Sequence, residues 1–372
     1  MKYHVEPPSV YHCLKKWQKL KITCFVALAF ACLYFFFNSH QQDDIDYETC
    51  GFNIISLGAC DENTIHTNGH TNDNSNNNNH SKKKVDSLKL HHPLTVAVDR
   101  NEDIIVIDNM SPDTNKNKKN VHFRLINFTF DSEVNFYIPL HPMRPVDVTI
   151  DFHNNYYITS NTLVKKYRRT ELIFQFVPYY NANTMHLPQI CSIQFNSDQE
   201  NLFLLDEANV CIQVFGSELG QYQTTIDLSE FVVKPSKLYI QNKSTLIVTD
   251  KAIDSVVICQ YNKNSILQSK SNGSQGIGHG EFVSPTATTT DQSGNILVCD
   301  SRNHRVCVLR AVSGDYRTCI GQLGDGLRSL KSPSDVCLHY FDGCCGRRRK
   351  EVDGLKMLIA DKSNNRIVVY SL

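Results

Sequence analysis

The chain has 372 residues, of which 41% are hydrophobic and 20% charged, and its 38 basic side chains balance 38 acidic ones. This balance excludes the strong overall field by which many proteins attract nucleic acid or an anionic membrane. The 14 cysteines form no Cys-x-x-Cys pair and show no metal-ligand spacing, which argues against a zinc module.

The N-terminal region predicts a membrane anchor. A polar, basic tail at 1–21 precedes an apolar run at 22–37, which is short for a bilayer-spanning helix but sufficient if Lys21 extends to the headgroups. Lysines come before this run and acidic residues follow it in a stalk at 38–50, so we predict a cytoplasmic N-terminus and a luminal or extracellular remainder. A cleaved signal peptide is one alternative, and a segment that does not insert, leaving the protein cytoplasmic, is another.

The next two segments differ in composition. Residues 51–60 contain a strand-like stretch, Phe52 to Gly58, that ends at a glycine. The segment 61–92 contains a stretch, Asn63 to Lys84, that is rich in Asn, His and Ser and has almost no aliphatic side chains, so we predict that this segment is disordered. The histidines of this segment are irregularly spaced, and no thiol or carboxylate framework surrounds them, so we predict no metal site there.

From residue 93 to residue 372 the sequence repeats a unit of short strands. Each unit begins with a proline before one apolar run and, in five of the six, has an aspartate that closes the next run. Successive prolines lie 43 to 52 residues apart. The six opening prolines are Pro93, Pro145, Pro188, Pro235, Pro285 and Pro333. All-β units of this period, which cannot bury both sheet faces alone, predict a six-bladed β-propeller.

At these residues the chain resembles the NHL-repeat β-propellers, most clearly in the last two units. The propeller resembles that of tripartite-motif NHL proteins, although the zinc ligands of their RING and B-box modules are absent here. The resemblance implies an architecture, and those propellers bind RNA or protein through one face of the ring. Neither ubiquitin-ligase activity nor a RING-dependent role follows from it.

The last unit ends just after its third strand, at Leu372. A propeller blade needs a fourth strand, and an open ring would leave exposed edges. We therefore predict that the stretch at 51–60 supplies this strand and closes the ring. An unstructured stalk is the alternative.

Two patterns are assigned structural roles. The glycine-rich stretch at 276–280 resembles a phosphate-binding loop, but a strand follows it where a dinucleotide site needs a helix, so we interpret it as a connection between blades. An Asp-x-x-Asn-x-Arg pattern occurs twice, and because a single active site would not need copies, we predict that it braces turns. Its members are Asp300, Asn303 and Arg305 in one unit and Asp361, Asn364 and Arg366 in the other.

The candidate binding residues are basic. In a four-stranded blade, the loops between blades and those joining the second and third strands emerge on the same face of the ring. The cations predicted on this face are Arg144, Lys251, Arg302, Lys331 and Lys362. Acidic residues share the face, whereas RNA binding favours a net basic stripe, so a protein ligand is the preferred partner and RNA the alternative.

An enzyme is the second alternative. Some propellers that resemble NHL repeats, the peptidyl amidating lyases, hold a metal with histidines around the channel, but the histidines here occupy different offsets within their units. Aspartates near the unit starts (Asp99, Asp147, Asp151 and Asp335) could line a channel and bind a cation, although strand-end aspartate is common in this repeat. We therefore predict a non-enzymatic, membrane-tethered interaction module without a cofactor. If the propeller is luminal, the candidate glycosylation sites are Asn79, Asn109, Asn127, Asn242 and Asn272.

Overall fold

A computed structural model describes residues 54–57, 88–110, 122–180, 186–196, 198–310, 313–341 and 354–372. These residues belong to one compact unit of the chain, residues 46–372. Within the described ranges, no helix is both long and apolar enough to cross a bilayer. The predicted tail, membrane segment and stalk at 1–50 lie outside the described residues, as does most of the Asn-rich segment.

The described strands form six four-stranded antiparallel sheets, called blades 1 to 6 here. Strand β1 (Ile54–Leu57) belongs to blade 6. The first three blades contain β2 (Pro93–Val98), β3 (Ile104–Asn109), β4 (Phe123–Phe128) and β5 (Val134–Pro139); β6 (Pro145–Ile150), β7 (Asn155–Ser160), β8 (Leu163–Arg168) and β9 (Glu171–Phe176); and β10 (Ile190–Phe195), β11 (Asn201–Asp206), β12 (Cys211–Gly216) and β13 (Tyr222–Asp227). The others contain β14 (Pro235–Ile240), β15 (Thr245–Asp250), β16 (Ser255–Tyr261) and β17 (Ile266–Asn272); β18 (Pro285–Thr290), β19 (Ile296–Asp300), β20 (Arg305–Leu309) and β21 (Tyr316–Ile320); and β22 (Pro333–Phe341), β23 (Gly354–Asp361) and β24 (Arg366–Ser371).

The blades form a closed ring, so the six-bladed, all-β propeller predicted from the repeats is confirmed. The first strand of each blade is innermost and lies beside the first strands of its two neighbours, with β2 beside β22. Strand β1 pairs antiparallel with β24 at the outer edge of blade 6, with Leu57 opposite Ile367. Leu57 is buried in the same apolar layer as Phe341 and Leu358, so both ends of this compact unit contribute to blade 6.

The apolar core lies in layers between neighbouring blades. The second strand of each blade is covered on both faces, which explains why its sequence is a continuous apolar run and not an alternating one. Outer strands such as β9 and β13 are largely exposed. The fold therefore buries its middle strands and leaves the channel and the two loop faces to display side chains.

The start of each blade has a fixed register. In five blades the opening proline lies opposite a residue at the end of the second strand, as Pro285 lies opposite Asp300. That residue is the last of the strand except in blade 1, where Asn109 follows Asp108. In blade 3, Ile190 takes this position opposite Asp206, and Pro188 lies two residues before the strand. The register shifts directly after this pair in all six blades, which indicates a β-bulge at the start of every inner strand.

Candidate functional site

One face of the ring presents the loops between blades together with the loops joining second and third strands; we call it the between-blade face. Arg144, Lys251, Arg302 and Lys331 are exposed on it, and Lys362 is half-buried. Lys251, Arg302 and Lys362 occupy equivalent loops of blades 4, 5 and 6, while Lys331 lies in the loop that enters blade 6. The structure thus arranges four of the predicted cations along an arc over three blades and leaves Arg144 at the entrance of blade 2.

Three acidic groups of this face are engaged within the structure, whereas Glu230 and Asp325 are exposed. Glu207 forms an ion pair of 3.6 Å with Lys234, the Asp254 carboxylate accepts the Ser284 amide at 2.7 Å, and Glu281 accepts the Gly278 amide at 2.8 Å. Among the described residues, by contrast, none of the five predicted cations forms an ion pair. These five cations are therefore available to a partner.

Exposed aliphatic side chains lie on the same face. Ile277 is 79% exposed, Leu187 is 70%, Leu323 is 64% and Val233 is 63%. They occupy the loops that enter blades 3, 4, 5 and 6, next to the arc of cations. A partner docked over these loops would bury these apolar side chains.

The repeated Asp-x-x-Asn-x-Arg pattern holds the loops of this face. Fully buried Asp300 accepts hydrogen bonds from Asn303 Nδ2 at 2.8 Å and from Arg305 Nε at 2.9 Å, while its other oxygen accepts the Val283 amide at 2.7 Å. The remaining guanidinium nitrogens of Arg305 donate to the carbonyls of Ile277, Gly278 and Glu281. One buried carboxylate and one arginine therefore fix the glycine-rich connection, which contains Ile277, to the body of blade 5.

Blade 6 repeats this geometry. Asp361 accepts Asn364 Nδ2 and Arg366 Nε, both at 2.8 Å, and Arg366 donates to the carbonyls of Asp325, Gly326 and Ser329. Burial raises the pKa of Asp300, although Asn303 and Arg305 act in the opposite direction. The carboxylates and the arginines of both sets are held by protein partners, as a bracing role requires.

Polar contacts also join successive blades on this face. In blades 4, 5 and 6 the residue before the inner strand contacts the second-to-third loop of the preceding blade, as Lys234 does with Glu207, Ser284 with Asp254 and Ser332 with His304. Ser284 and Ser332 both have positive φ, as do their partners Asp254 and His304. The loops over blades 3 to 6 are therefore linked into one surface, which favours a preorganised binding face.

The central channel contains a charged cluster. Lys237 of β14 places its Nζ 2.8 Å from an Asp147 oxygen of β6 and 3.3 Å from an Asp335 oxygen of β22. Asp147 also accepts the Ser192 hydroxyl at 2.7 Å and the Ile193 amide at 3.0 Å. All three charged residues follow the first-strand bulge by the same offset, in blades 2, 4 and 6, so they meet across the ring.

The cluster occupies one part of a channel cavity of about 260 Å³, which Gln194, Tyr239, Thr289 and His339 also line. Burial opposes the charge of Lys237, but the carboxylates of Asp147 and Asp335 outweigh it and raise the lysine pKa. Burial also raises the pKa of Asp335. Two of the aspartates considered as cation ligands thus face a lysine ammonium, and sequence inspection missed the lysine because it is blades apart from them.

Other predicted features have separate locations. Within the described residues, no group of three His, Cys, Asp or Glu side chains could hold a metal ion. Asn242 is exposed, whereas Asn127 is buried, donates to Asp99 and Tyr156, and accepts from Asn135, so a glycan on Asn127 would not fit the folded sheet. Asn109 and Asn272 are half-buried, and Asn79 lies outside the described residues.

Comparison with known proteins agrees with this architecture. Residues 282–309, the first three strands of blade 5, match the family model of the NHL repeat. No curated protein matches the sequence. Three solved structures show the same fold at low sequence identity. A structural genomics protein of unknown function from Bacteroides thetaiotaomicron is 16% identical, with 77% of this chain and 70% of that chain covered and a TM-score of 0.52. Auxiliary nutrient binding proteins from Bacteroides ovatus (11% identity, 77% of this chain and 71% of that chain covered, TM-score 0.53) and Bacteroides thetaiotaomicron (10% identity, 76% of this chain and 69% of that chain covered, TM-score 0.51) are similar in the same way.

The fold and its braced loop face define a six-bladed β-propeller. More specifically, it is a propeller that contains an NHL repeat in blade 5, one of the two units in which the sequence most clearly resembles that repeat.

Proposed function

We propose that this propeller is a non-enzymatic binding module whose between-blade face docks a protein partner. The observation on which this rests is the combination of exposed aliphatic side chains and unpaired cations on loops held by buried aspartates and arginines. A rigid scaffold that displays several loops on one face is suited to binding because little ordering is required when the partner docks. Two neighbours of the same fold are named as nutrient binding proteins, which supports a binding role in general terms.

The partner surface is expected to be acidic with apolar side chains. Arg302 and Lys251 supply positive charge, and Ile277 and Leu323 supply apolar area. Single-stranded RNA would instead be expected to use exposed aromatic platforms beside the cations. The loop that enters blade 3 has two exposed tyrosines, Tyr179 and Tyr180, but the most exposed apolar side chains of the face are aliphatic, so protein is favoured over RNA.

We further propose that residues 22–37 tether the propeller to a membrane, with the N-terminus cytoplasmic and the propeller luminal or extracellular. Glycosidase treatment and protease protection of the expressed full chain test this. A luminal propeller should be protected and should carry a glycan that Asn242→Gln removes, because Asn242 is exposed. A propeller that is protease-sensitive in intact vesicles and unglycosylated would show that it is cytoplasmic.

The binding face can be tested with two matched double variants. Ile277→Asp with Arg302→Glu alters the between-blade face, whereas Leu219→Asp with Lys263→Glu makes the same changes on exposed residues of the opposite face. Cross-linking capture should recover a partner with the wild type and the second variant, and lose it with the first. Equal recovery by both variants would contradict the proposal, and recovery that nuclease abolishes would indicate RNA.

A further inference from the structure

Blade 5 contains two cysteines that face each other. Cys307 of β20 and Cys319 of β21 are direct partners in the antiparallel register. The equivalent pairs are Val257 with Ser271 in blade 4 and Val368 with Ser56 in blade 6. The cysteine pair is therefore a property of this blade and is not required by the repeat.

The register is compatible with a bond between the two sulfurs. Directly opposed residues in an antiparallel pair have Cα atoms about 4.5 or 5.5 Å apart, depending on the type of pair. Both values fall within the range of about 4.4–6.8 Å found for disulfides. Both cysteines are free thiols here, with Cys307 buried and Cys319 half-buried, so the outer sulfur is the more accessible of the two.

The surroundings activate Cys319. A hydrogen bond from the Cys307 thiol lowers its pKa to about 5 against the effect of burial, and the Tyr316 hydroxyl and the Arg305 guanidinium act in the same direction. Cys307 shows the opposite shift, because its hydrogen bond to Cys319 and its burial raise its pKa. For comparison, burial raises the pKa of Cys259 to about 12. Blade 5 thus combines a thiolate with an adjacent neutral thiol, which is the arrangement of an attacking and a resolving cysteine.

We propose that Cys307 and Cys319 form a reversible disulfide within blade 5 through exchange with a small-molecule disulfide. The Cys319 thiolate attacks one sulfur of that disulfide, forming a mixed disulfide and releasing one thiolate. Cys307 then loses its proton to solvent and attacks the Cys319 sulfur, forming the Cys307–Cys319 bond and releasing the second thiolate. The two cysteines are oxidised by two electrons, and the small-molecule disulfide is reduced to two thiols.

The bond would link the third and outer strands of blade 5 beside the between-blade face. Arg305 lies next to Cys319 and also fixes the connection that contains Gly278 and Glu281. Oxidation removes the thiolate charge and leaves Asp300 as the anionic partner of Arg305. The redox state of the pair is thereby linked to the loop that holds exposed Ile277.

The test uses the reduced full chain, equilibrated with mixtures of glutathione and glutathione disulfide at neutral pH. After an acid quench, thiols are blocked with N-ethylmaleimide and the chain is digested with trypsin. The digestion places the two cysteines in separate peptides, Val306–Arg310 and Thr318–Arg328, with one cysteine each. The expected product is a linked pair of these peptides that lacks two hydrogens and separates on reduction.

Variants fix the order of the steps. In Cys307→Val, Cys319 should accumulate as its glutathione mixed disulfide, whereas in Cys319→Ser, Cys307 should remain unmodified. The double variant Cys307→Val/Cys319→Ser introduces the residues that blades 4 and 6 already have, so it is the folded control and should give no linked pair. The proposal is overturned if both cysteines stay alkylated at every glutathione ratio in the folded wild type, if either links to another cysteine, or if Cys307 is the one that accumulates glutathione.

Discussion

Replacing Lys237 with Met tests the role of the channel cluster. In the wild type the Lys237 ammonium lies 2.8 Å from Asp147 and 3.3 Å from Asp335, and its side chain is 11% exposed. The variant leaves two buried carboxylates without their cation. Breaking a buried ion pair in this way costs about 3–5 kcal/mol. At about 2–4 °C per kcal/mol, the melting temperature should fall by roughly 10 °C.

The cost should depend on pH. Burial already raises the pKa of Asp335, and loss of the lysine raises it further, so as the pH falls toward the ordinary aspartate range the folded variant binds a proton before the unfolded chain does. Its stability therefore increases as the pH falls through this range. The lysine contribution in the wild type is constant there, since a raised lysine pKa affects stability only above the ordinary lysine range. The difference in stability between the two proteins should therefore narrow as the pH falls from neutral toward the ordinary aspartate range.

A double variant separates charge from packing. Asp335→Asn keeps an acceptor for the Val96 amide, which the aspartate now accepts at 3.0 Å, and removes one charge. Lys237→Met/Asp335→Asn should therefore be more stable at neutral pH than Lys237→Met alone. Thermal unfolding of the full chain in mild detergent, followed by circular dichroism, measures this, since the only tryptophan, Trp17, lies outside the propeller. A single variant within about 0.5 kcal/mol of wild type, or a gap that does not change with pH, would refute the interpretation.

Three further changes test the loops and the thiol pair. Gly321→Ala should destabilise the propeller by about 1–3 kcal/mol, because φ at this residue is +91° and the new Cβ would lie 2.6 Å from the Leu330 side chain. Gly354→Ala is the control in the same unfolding assay: φ there is also positive, but a Cβ would have no contact within 4 Å, so the loss of stability should be smaller. Arg366→Lys should lower the free energy of unfolding by about 1.5–3 kcal/mol, because lysine cannot replace the guanidinium contacts to Asp325, Gly326 and Ser329. Amide hydrogen exchange in residues 324–330 should become faster, and unchanged exchange would contradict the bracing role. Tyr316→Phe removes a hydrogen bond to the Cys319 thiolate, so the midpoint of the pH profile for Cys319 alkylation should move upward from about 5; an unmoved midpoint would show that the hydroxyl has no part in activation.

The repeat architecture could be predicted because its signals are local. An opening proline and a closing aspartate lie opposite each other in one antiparallel hairpin, so their spacing in the sequence reflects a single register. The proline fixes the backbone at the start of the inner strand, and the buried aspartate accepts amides of the residues just before that strand. In blade 3 the proline lies before the strand, whereas Asp206 has the same role as Asp300 in blade 5 and accepts the Gln189 amide. There the aspartate was the more reliable signal.

The charged channel cluster and the cysteine pair could not be found in the same way. Lys237 meets Asp147 and Asp335 only because the ring closes, and these residues are about two blades apart in the sequence. Each of the three lies two residues after the opening proline of its unit, but this shared position predicts a contact only when alternate blades are compared. The register of Cys307 with Cys319 depends on the bulge in the β20–β21 hairpin, whose position composition does not specify.

The braces show what the repeat conserves physically when its sequence varies. Asp300 and Asp361 each use an asparagine and an arginine, Asp108 uses Arg124 alone, and Asp206 uses Asn209 and Gln213. In each case the other carboxylate oxygen accepts an amide from the chain entering the same blade. The common requirement is therefore an acceptor for those entry-loop amides, and the donors that hold the acceptor can differ. Where the donor is arginine, its spare nitrogens reach the incoming loop, and in blades 5 and 6 those loops also bear Ile277 and Leu323, the exposed side chains assigned to binding.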